Sequence, residues 1–291
     1  MKVAIYGMTK AGLRGGPGER GDMIGQAMAA GLKRHNVPHT MHARFDGVVA
    51  DVAIAYGWIN ELKDKVFSAY RDAGKRFVFI DLGYWNRGTR GAYRVSVDSW
   101  DSADNMLRNC PDGRFRESRI TLRSDWNPES RDVMIVGMSD KAAWTHGYRF
   151  NEWENKAKAF LEDKYLGKGF RFYIRQKPRG KEASRAVPIE QALKNTRFVI
   201  SHHSNVAVDC LIAGIPYTCK KGVARFLSPT SHREYGEVYT GVADADIINP
   251  HFPAYEDRIS LLNDIAYVQW TVKEMIGGHC WDYLKEVMGC A

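Results

Sequence analysis

The stretch of this sequence best equipped for chemistry runs from Asn195 to Tyr217: Asn-Thr-Arg-Phe-Val-Ile-Ser-His-His-Ser-Asn-Val-Ala-Val-Asp-Cys-Leu-Ile-Ala-Gly-Ile-Pro-Tyr. Its pattern predicts a strand over Phe198–Ile200, a polar turn over Ser201–Asn205 and a helix over Asn205–Ala213. Gly214 and Pro216 then lead into a new strand. In open α/β sheets, ligands bind where a strand's carboxyl end turns into a helix. Free N–H groups and the positive end of the helix dipole attract phosphate at such a turn. Ser204 and Asn205 can cap the helix and donate to phosphate oxygens, His202 and His203 add donors, and Asp209 can accept from a ribose hydroxyl. A plain helix cap is the competing reading, and the turn is more polar than capping requires. Arg175 and Lys177 end a predicted strand upstream. Fixed cations there can stabilise charge growing on a phosphate leaving group, or they can face solvent in the charge-rich run 177–181.

A carboxylate in contact with a hydroxyl can take its proton. Asp22 and Asp81 are the two candidates, and the sequence does not choose between them. Asp22 follows Gly16-Pro-Gly-Glu-Arg-Gly21, which spells the dinucleotide fingerprint with Asp46 as a distant ribose acid. The spacing argues against a nicotinamide site, because a long polar stretch separates the motif from the strand ending at Gly7. A glycine loop, with Gly16 and Gly18, closing over phosphate or acceptor is the more natural reading. Asp22 is equally placed to cap the helix behind it. Asp81-Leu-Gly-Tyr-Trp-Asn-Arg87 again follows a strand. Tyr84 and Trp85 can stack on a sugar or an extruded base and Arg87 can hold phosphate, or the aromatics can simply anchor a linker. Asp244-Ala-Asp246 reads as a solvated acidic turn. No other spacing suggests a metal site, so chemistry without a metal is expected.

With these residues in view, the chain resembles the GT-B glycosyltransferases, especially capsule-type enzymes and bacteriophage-encoded glycosyltransferase-like proteins. The resemblance rests on Ser201–Asn205, Asp209 and Gly214-Ile-Pro216, on Tyr173-Ile-Arg-Gln-Lys-Pro178, and on Ile265-Ala-Tyr-Val-Gln-Trp-Thr-Val-Lys-Glu-Met-Ile-Gly-Gly-His-Cys-Trp281. Asp81–Arg87 and Tyr93-Arg-Val-Ser-Val97 add to it. The matched blocks are short but ordered along most of the chain. They imply a GT-B fold and sugar transfer from a nucleotide sugar, a UDP-sugar first, held by Arg175, Lys177, His203, Ser204, Asn205 and Asp209. The implied acceptor is a hydroxymethylated pyrimidine in phage DNA, contacted through Gly16, Gly18, Tyr84, Trp85 and Arg87. Three rivals stand beside this: a capsule or glycan glycosyltransferase, a non-catalytic nucleic-acid-binding protein on a GT-B scaffold, and a nicotinamide-dependent oxidoreductase.

The positioning elements follow from periodicity. Apolar strands over Val3–Tyr6, Thr40–Arg44, Val48–Tyr56 and Arg76–Ile80 alternate with helices over Met23–Arg34 and Asn60–Ala73. A second alternation begins at Val133 and ends in helices over Arg258–Met275 and Cys280–Met288. Between them, Trp100–Pro128 is charged and aperiodic and reads as a linker. The expected fold is α/β and GT-B-like: Rossmann-like domains 1–128 and 129–291 with parallel sheets facing a cleft, the last helices able to pack back on the first domain.

Net charge is +8, which raises the prospect of a polyanionic partner, double-stranded DNA first. Arg87, Arg90, Arg94, Arg108, Arg114, Arg116, Arg119 and Arg123 lie among Trp85, Tyr93 and Trp100, as a DNA-tracking groove or a solvated linker would require. Five scattered cysteines without a C-x-x-C pair, no apolar run long enough for a bilayer and no secretory signal point to a cytoplasmic protein without a membrane partner.

Overall fold

The computed structural model describes residues 1–6, 17–57, 61–87, 91–177, 186–228 and 246–290. Two α/β units divide them, Met1–Arg114 with Asn263–Ala291 and Phe115–Leu262. The first unit opens with β1 (Val3–Tyr6), α1 (Pro17–Arg34), β2 (His39–His42), β3 (Val52–Tyr56), α2 (Glu61–Asp72), β4 (Arg76–Leu82) and β5 (Ala92–Val97), before α3 (Gly113–Glu117). Tyr6, Phe67, Tyr70, Phe77 and Phe79 fill one face of its sheet, and Trp100 packs against them. Their burial removes roughly 150–250 Å² per ring from water and stabilises this unit.

The second unit holds β6 (Asp132–Val136), α4 (Asp140–Thr145), α5 (Glu152–Lys164), β7 (Arg171–Arg175), α6 (Ile189–Lys194), β8 (Phe198–Ser201), α7 (Val206–Ala213), β9 (Tyr217–Cys219), a 3-10 turn over Val223–Leu227, and the start of α8 (Tyr255–Tyr267), whose residues from Asn263 on belong to the first unit. Its four strands lie in the order β7-β6-β8-β9, all parallel. The chain then continues in the first unit through β10 (Gln269–Thr271), α9 (Val272–Gly277) and α10 (His279–Met288). That unit's sheet has the order β10-β5-β4-β3-β1-β2. β4, β3, β1 and β2 are mutually parallel, and β5 runs against both β4 and β10.

Three expectations need correction. The helix expected over Arg258–Met275 is two helices separated by a strand. The break is chemical: Thr271 caps α9 in a capping box with Glu274, and Trp270 pairs with Tyr93 across β5. The presumed linker does not end at 128. Arg123 N donates to Ile212 O and Asp125 N to Ala213 O, each at 2.8 Å, and Trp126 Nε1 donates to Arg197 O, so the chain from Phe115 on belongs to the second unit. Finally, α1 starts at Pro17, so Gly18 and Asp22 lie inside a helix and not in a loop or at a cap. Gly16 lies outside the described residues.

Glu274 also bonds Arg114, at 2.6 Å from Nη1. Burial raises its pKa, but the hydrogen bonds from Arg114 and Thr271 outweigh this and hold the carboxyl below its ordinary range. In the unfolded chain it therefore takes up its proton first as pH falls. Its contribution to stability is complete above about 4.5 and is lost as pH drops through the lower folded value. A quarter of the side chain reaches solvent, which limits that contribution to about 1 kcal/mol. Urea titrations at pH 7 and pH 3.5 should show Glu274→Gln weaker than the parent by this amount at the higher pH, with the gap closing at the lower.

Candidate functional site

The second unit's strands finish in one row. Val136 is in register with Arg175 on one side and Ser201 on the other, and Ser201 is in register with Cys219. At one strand spacing per step the row is about 15 Å long. Four connections leave from this edge: Gly137 onward, Gln176-Lys177, His202–Asn205 and Lys220-Lys221. The third and fourth are tied together, since Lys220 N donates to Ser201 O and Lys221 N to His202 O at 2.7 Å.

At the start of α7, Ser204 Oγ accepts from Val206 N at 3.2 Å. Asn205 holds the cap position in a helical conformation, with no side-chain cap bond. The expected double cap is therefore a single one, made by Ser204. His203, Ser204, Asn205 and Asp209 are all half-buried on this edge or on the first turn of α7. Arg175 reaches it from β7, its guanidinium donating to Val187 O, while Lys177 is exposed. The rest of the Lys177–Lys181 run lies outside the described residues.

His202 points inward and is 2% exposed. Its ring lies 4.6 Å from that of His146 and 5.7 Å from that of His203, with Tyr148 and Trp153 edge-on beside it. Burial, then the positive charge of His146, His203, Lys220 and Lys221, pushes its pKa down to about 2, so the imidazole is neutral at ordinary pH. Sequence reasoning missed His146, Lys220 and Lys221. The lysines were legible as cations directly after β9. His146 was not, because only the tertiary fold brings the end of α4 to β8.

The candidate residues of the first unit stand differently. Tyr84 and Trp85 are 2% and 8% exposed, and their backbone N–H groups face the buried Gln269 Oε1. They are core residues and cannot stack on a base or sugar. Arg87 is exposed and folds back on Tyr84 O, with Nη2 at 2.6 Å. Asp81 Oδ2 lies 3.3 Å from Arg94 Nη2, so a proton taken there costs that ion pair. Burial works against the Arg94 charge, but Tyr84 and Asp81 beside it keep it charged. Asp22 is half-buried on α1. Near it on the same helix, Arg20 has its charge favoured chiefly by a hydrogen bond with Tyr56.

The arginines expected to track DNA are largely committed within the fold. Arg108 pairs with Asp264 at 2.8 Å, Arg114 with Glu274 and Arg123 with Asp125 at 2.7 Å. Arg114 also sits 3.8 Å over the Trp270 ring. Asp246 Oδ1 accepts from Ile248 N and Asn249 N in a local turn. Asp244 and Arg90 lie outside the described residues. Among the described residues no helix is long and apolar enough to cross a membrane.

No family profile matches the chain, and no curated protein does. A solved structure, the β-Kdo 2,4-transferase KpsC of Thermosulfurimonas dismutans, aligns over 94% of this chain and 98% of its own, with TM-score 0.50 and 10% identity. The fold is GT-B-like. The β-Kdo 2,7-transferase KpsC of the same organism aligns over 96% and 98%, at TM-score 0.43 and 10% identity. Identity this low speaks for the fold alone.

Proposed function

We propose that the protein is a glycosyltransferase that takes its sugar from a nucleotide donor, UDP-linked first among them, and that the donor phosphates bind at the start of α7. The observation that carries this reading is the row of strand ends, which places the N-terminus of α7, His203, Ser204, Asn205 and the Lys220-Lys221 pair on one edge of a parallel sheet. Backbone N–H groups and cations fixed in this way stabilise the charge that develops on a departing phosphate without reorganising. Arg175 and Lys177 extend the site along the row, and Asp209 takes the ribose. The base is Asp22 or Asp81, and the ion pair to Arg94 favours Asp22.

The acceptor that fits best is a hydroxyl on a glycan, the capsule-type reading. A solved structure that shares the fold is a sugar transferase, and Tyr84, Trp85 and four of the eight arginines that a duplex would need are taken up by the core and by ion pairs within the fold. The first test is a thermal-shift screen with UDP, GDP, CMP, ADP and NAD on the full chain, with a labelled DNA duplex alongside. One nucleotide at about 100 times its dissociation constant should stabilise by about 2.7 kcal/mol. Ser204→Ala and Lys220→Ala should each weaken its binding by roughly tenfold or more. Stabilisation by NAD alone, or nucleotide binding indifferent to both substitutions, would refute the assignment. Steeply salt-dependent duplex binding without nucleotide binding would favour the non-catalytic DNA-binding scaffold.

A further inference from the structure

We propose that His146, His202 and His203 form a binding site for a divalent transition cation of the zinc class. One nitrogen from each imidazole lies within 4.8 Å of the other two, close to the spacing of ligands around one ion bound at about 2.0–2.1 Å. The rings are mutually tilted, at 46°, 62° and 79°, and not stacked face to face. The ligands come from two separate elements. His146 is the C-cap of α4, with its N–H bonded to Ala142 O and Ala143 O, and His202 and His203 follow β8.

The buried member supplies the second, independent observation. His202 Nδ1 has no hydrogen-bond partner among the described residues. A buried polar atom left so is costly, and a metal ion is one partner that would satisfy it. Tyr148 and Trp153 lie edge-on against the His202 ring, at 5.5 Å and 5.4 Å between centroids, as the apolar shell around a metal site does. Three histidines leave a fourth position open, the arrangement of sites that accept an exchangeable ligand and not of closed structural ones. Lys220 and Lys221 oppose a second positive charge nearby, so affinity should fall short of a structural zinc finger's.

The site stands on the histidine geometry and does not rest on the nucleotide reading. The test uses the full chain carrying Cys290→Ser, to remove the exposed thiol, stripped with EDTA and titrated with cobalt(II) and then zinc(II) alone. The expected result is one equivalent of cobalt per chain with a visible ligand-field band that zinc displaces. His146→Ala should raise the dissociation constant at least about tenfold and abolish the band, and His39→Ala, in the other unit, should leave both unchanged. His203→Asn gives a second variant should His146→Ala fail to fold, as judged by circular dichroism. Absence of saturable uptake, or uptake indifferent to the folded variants, would overturn the proposal. Because the nucleotide screen can be run on EDTA-treated protein, failure of one assignment is distinguishable from failure of the other.

Discussion

Arg258→Met should cost the second unit about 2–4 kcal/mol and lower its urea midpoint accordingly. Arg258 is 3% exposed. Its Nε donates to Leu211 O at 2.8 Å, and its Nη2 donates to Arg123 O at 3.0 Å and Ile212 O at 3.2 Å. Two of these acceptors are last-turn carbonyls of α7, which lack intrahelical partners, and a cation there also complements the helix dipole. Methionine keeps the apolar stem but takes the guanidinium donor from the Leu211 and Arg123 carbonyls, while Ile212 O still accepts from Arg123 N. Lysine at the same position should recover only part of the loss, since a single ammonium cannot reproduce the fork. The neighbouring Gly214 shows how tight this corner is. Its φ is +77°, and a Cβ there would meet Arg123 O at 2.5 Å. A methionine variant as stable as the parent would mean that water reaches these carbonyls and that the guanidinium is dispensable.

Gly31→Ala should destabilise the first unit by roughly 2–3 kcal/mol, although alanine is the better helix former by about 1. Gly31 lies where α1 crosses α9. A Cβ there would stand 2.1 Å from Met275 O and 3.3 Å from Gly278 Cα. Both obstacles are backbone, so the helices themselves must separate. The contact cannot open freely, because His35 on the turn after α1 reaches Gly278 O at 3.2 Å. Gln26→Ala on the exposed side of the same helix should change stability by less than about 0.5 kcal/mol. Equal unfolding curves for the two variants would show that the helix crossing is looser than these distances imply.

Much of the architecture was legible because it is local. The apolar run before Gly7 gave Val3–Tyr6, the segments on either side of the helix over 206–213 gave Phe198–Ser201 and Tyr217–Cys219 to within a residue, and the polar turn before Val206 marked the candidate phosphate site. The failures were long-range. β10 was hidden because apolar spacing continues from Leu261 to Met275, and only the Thr271–Glu274 capping pair betrays the break. Tyr84, Trp85 and the arginines looked like an exposed interface because their partners are remote. Gln269 receives the N–H groups of the Tyr84 turn, Asp264 holds Arg108, and Glu274 holds Arg114. Asp81–Arg87, Tyr93–Val97 and Gln269–Thr271, which had seemed separate marks of resemblance, are one structural joint in which β10 pairs with β5 and Gln269 receives the turn after β4. The histidine cluster could not be read from the sequence, because nothing in the spacing of His146 from His202 requires them to meet.

The first unit is assembled from both ends of the chain, with the second unit's residues lying wholly between them. On a ribosome this sets a timetable. Phe115–Leu262 emerges as one continuous piece and can fold as it appears, whereas the outer edge of β5 and the Gly31 side of α1 must wait for β10 and α9. An unpaired strand edge is a template for wrong partners, so the nascent chain carries an open β5 edge until Gln269–Thr271 has emerged. In most multidomain chains the unit that begins first is also the first to finish; here the unit that begins first is completed after the one that follows it.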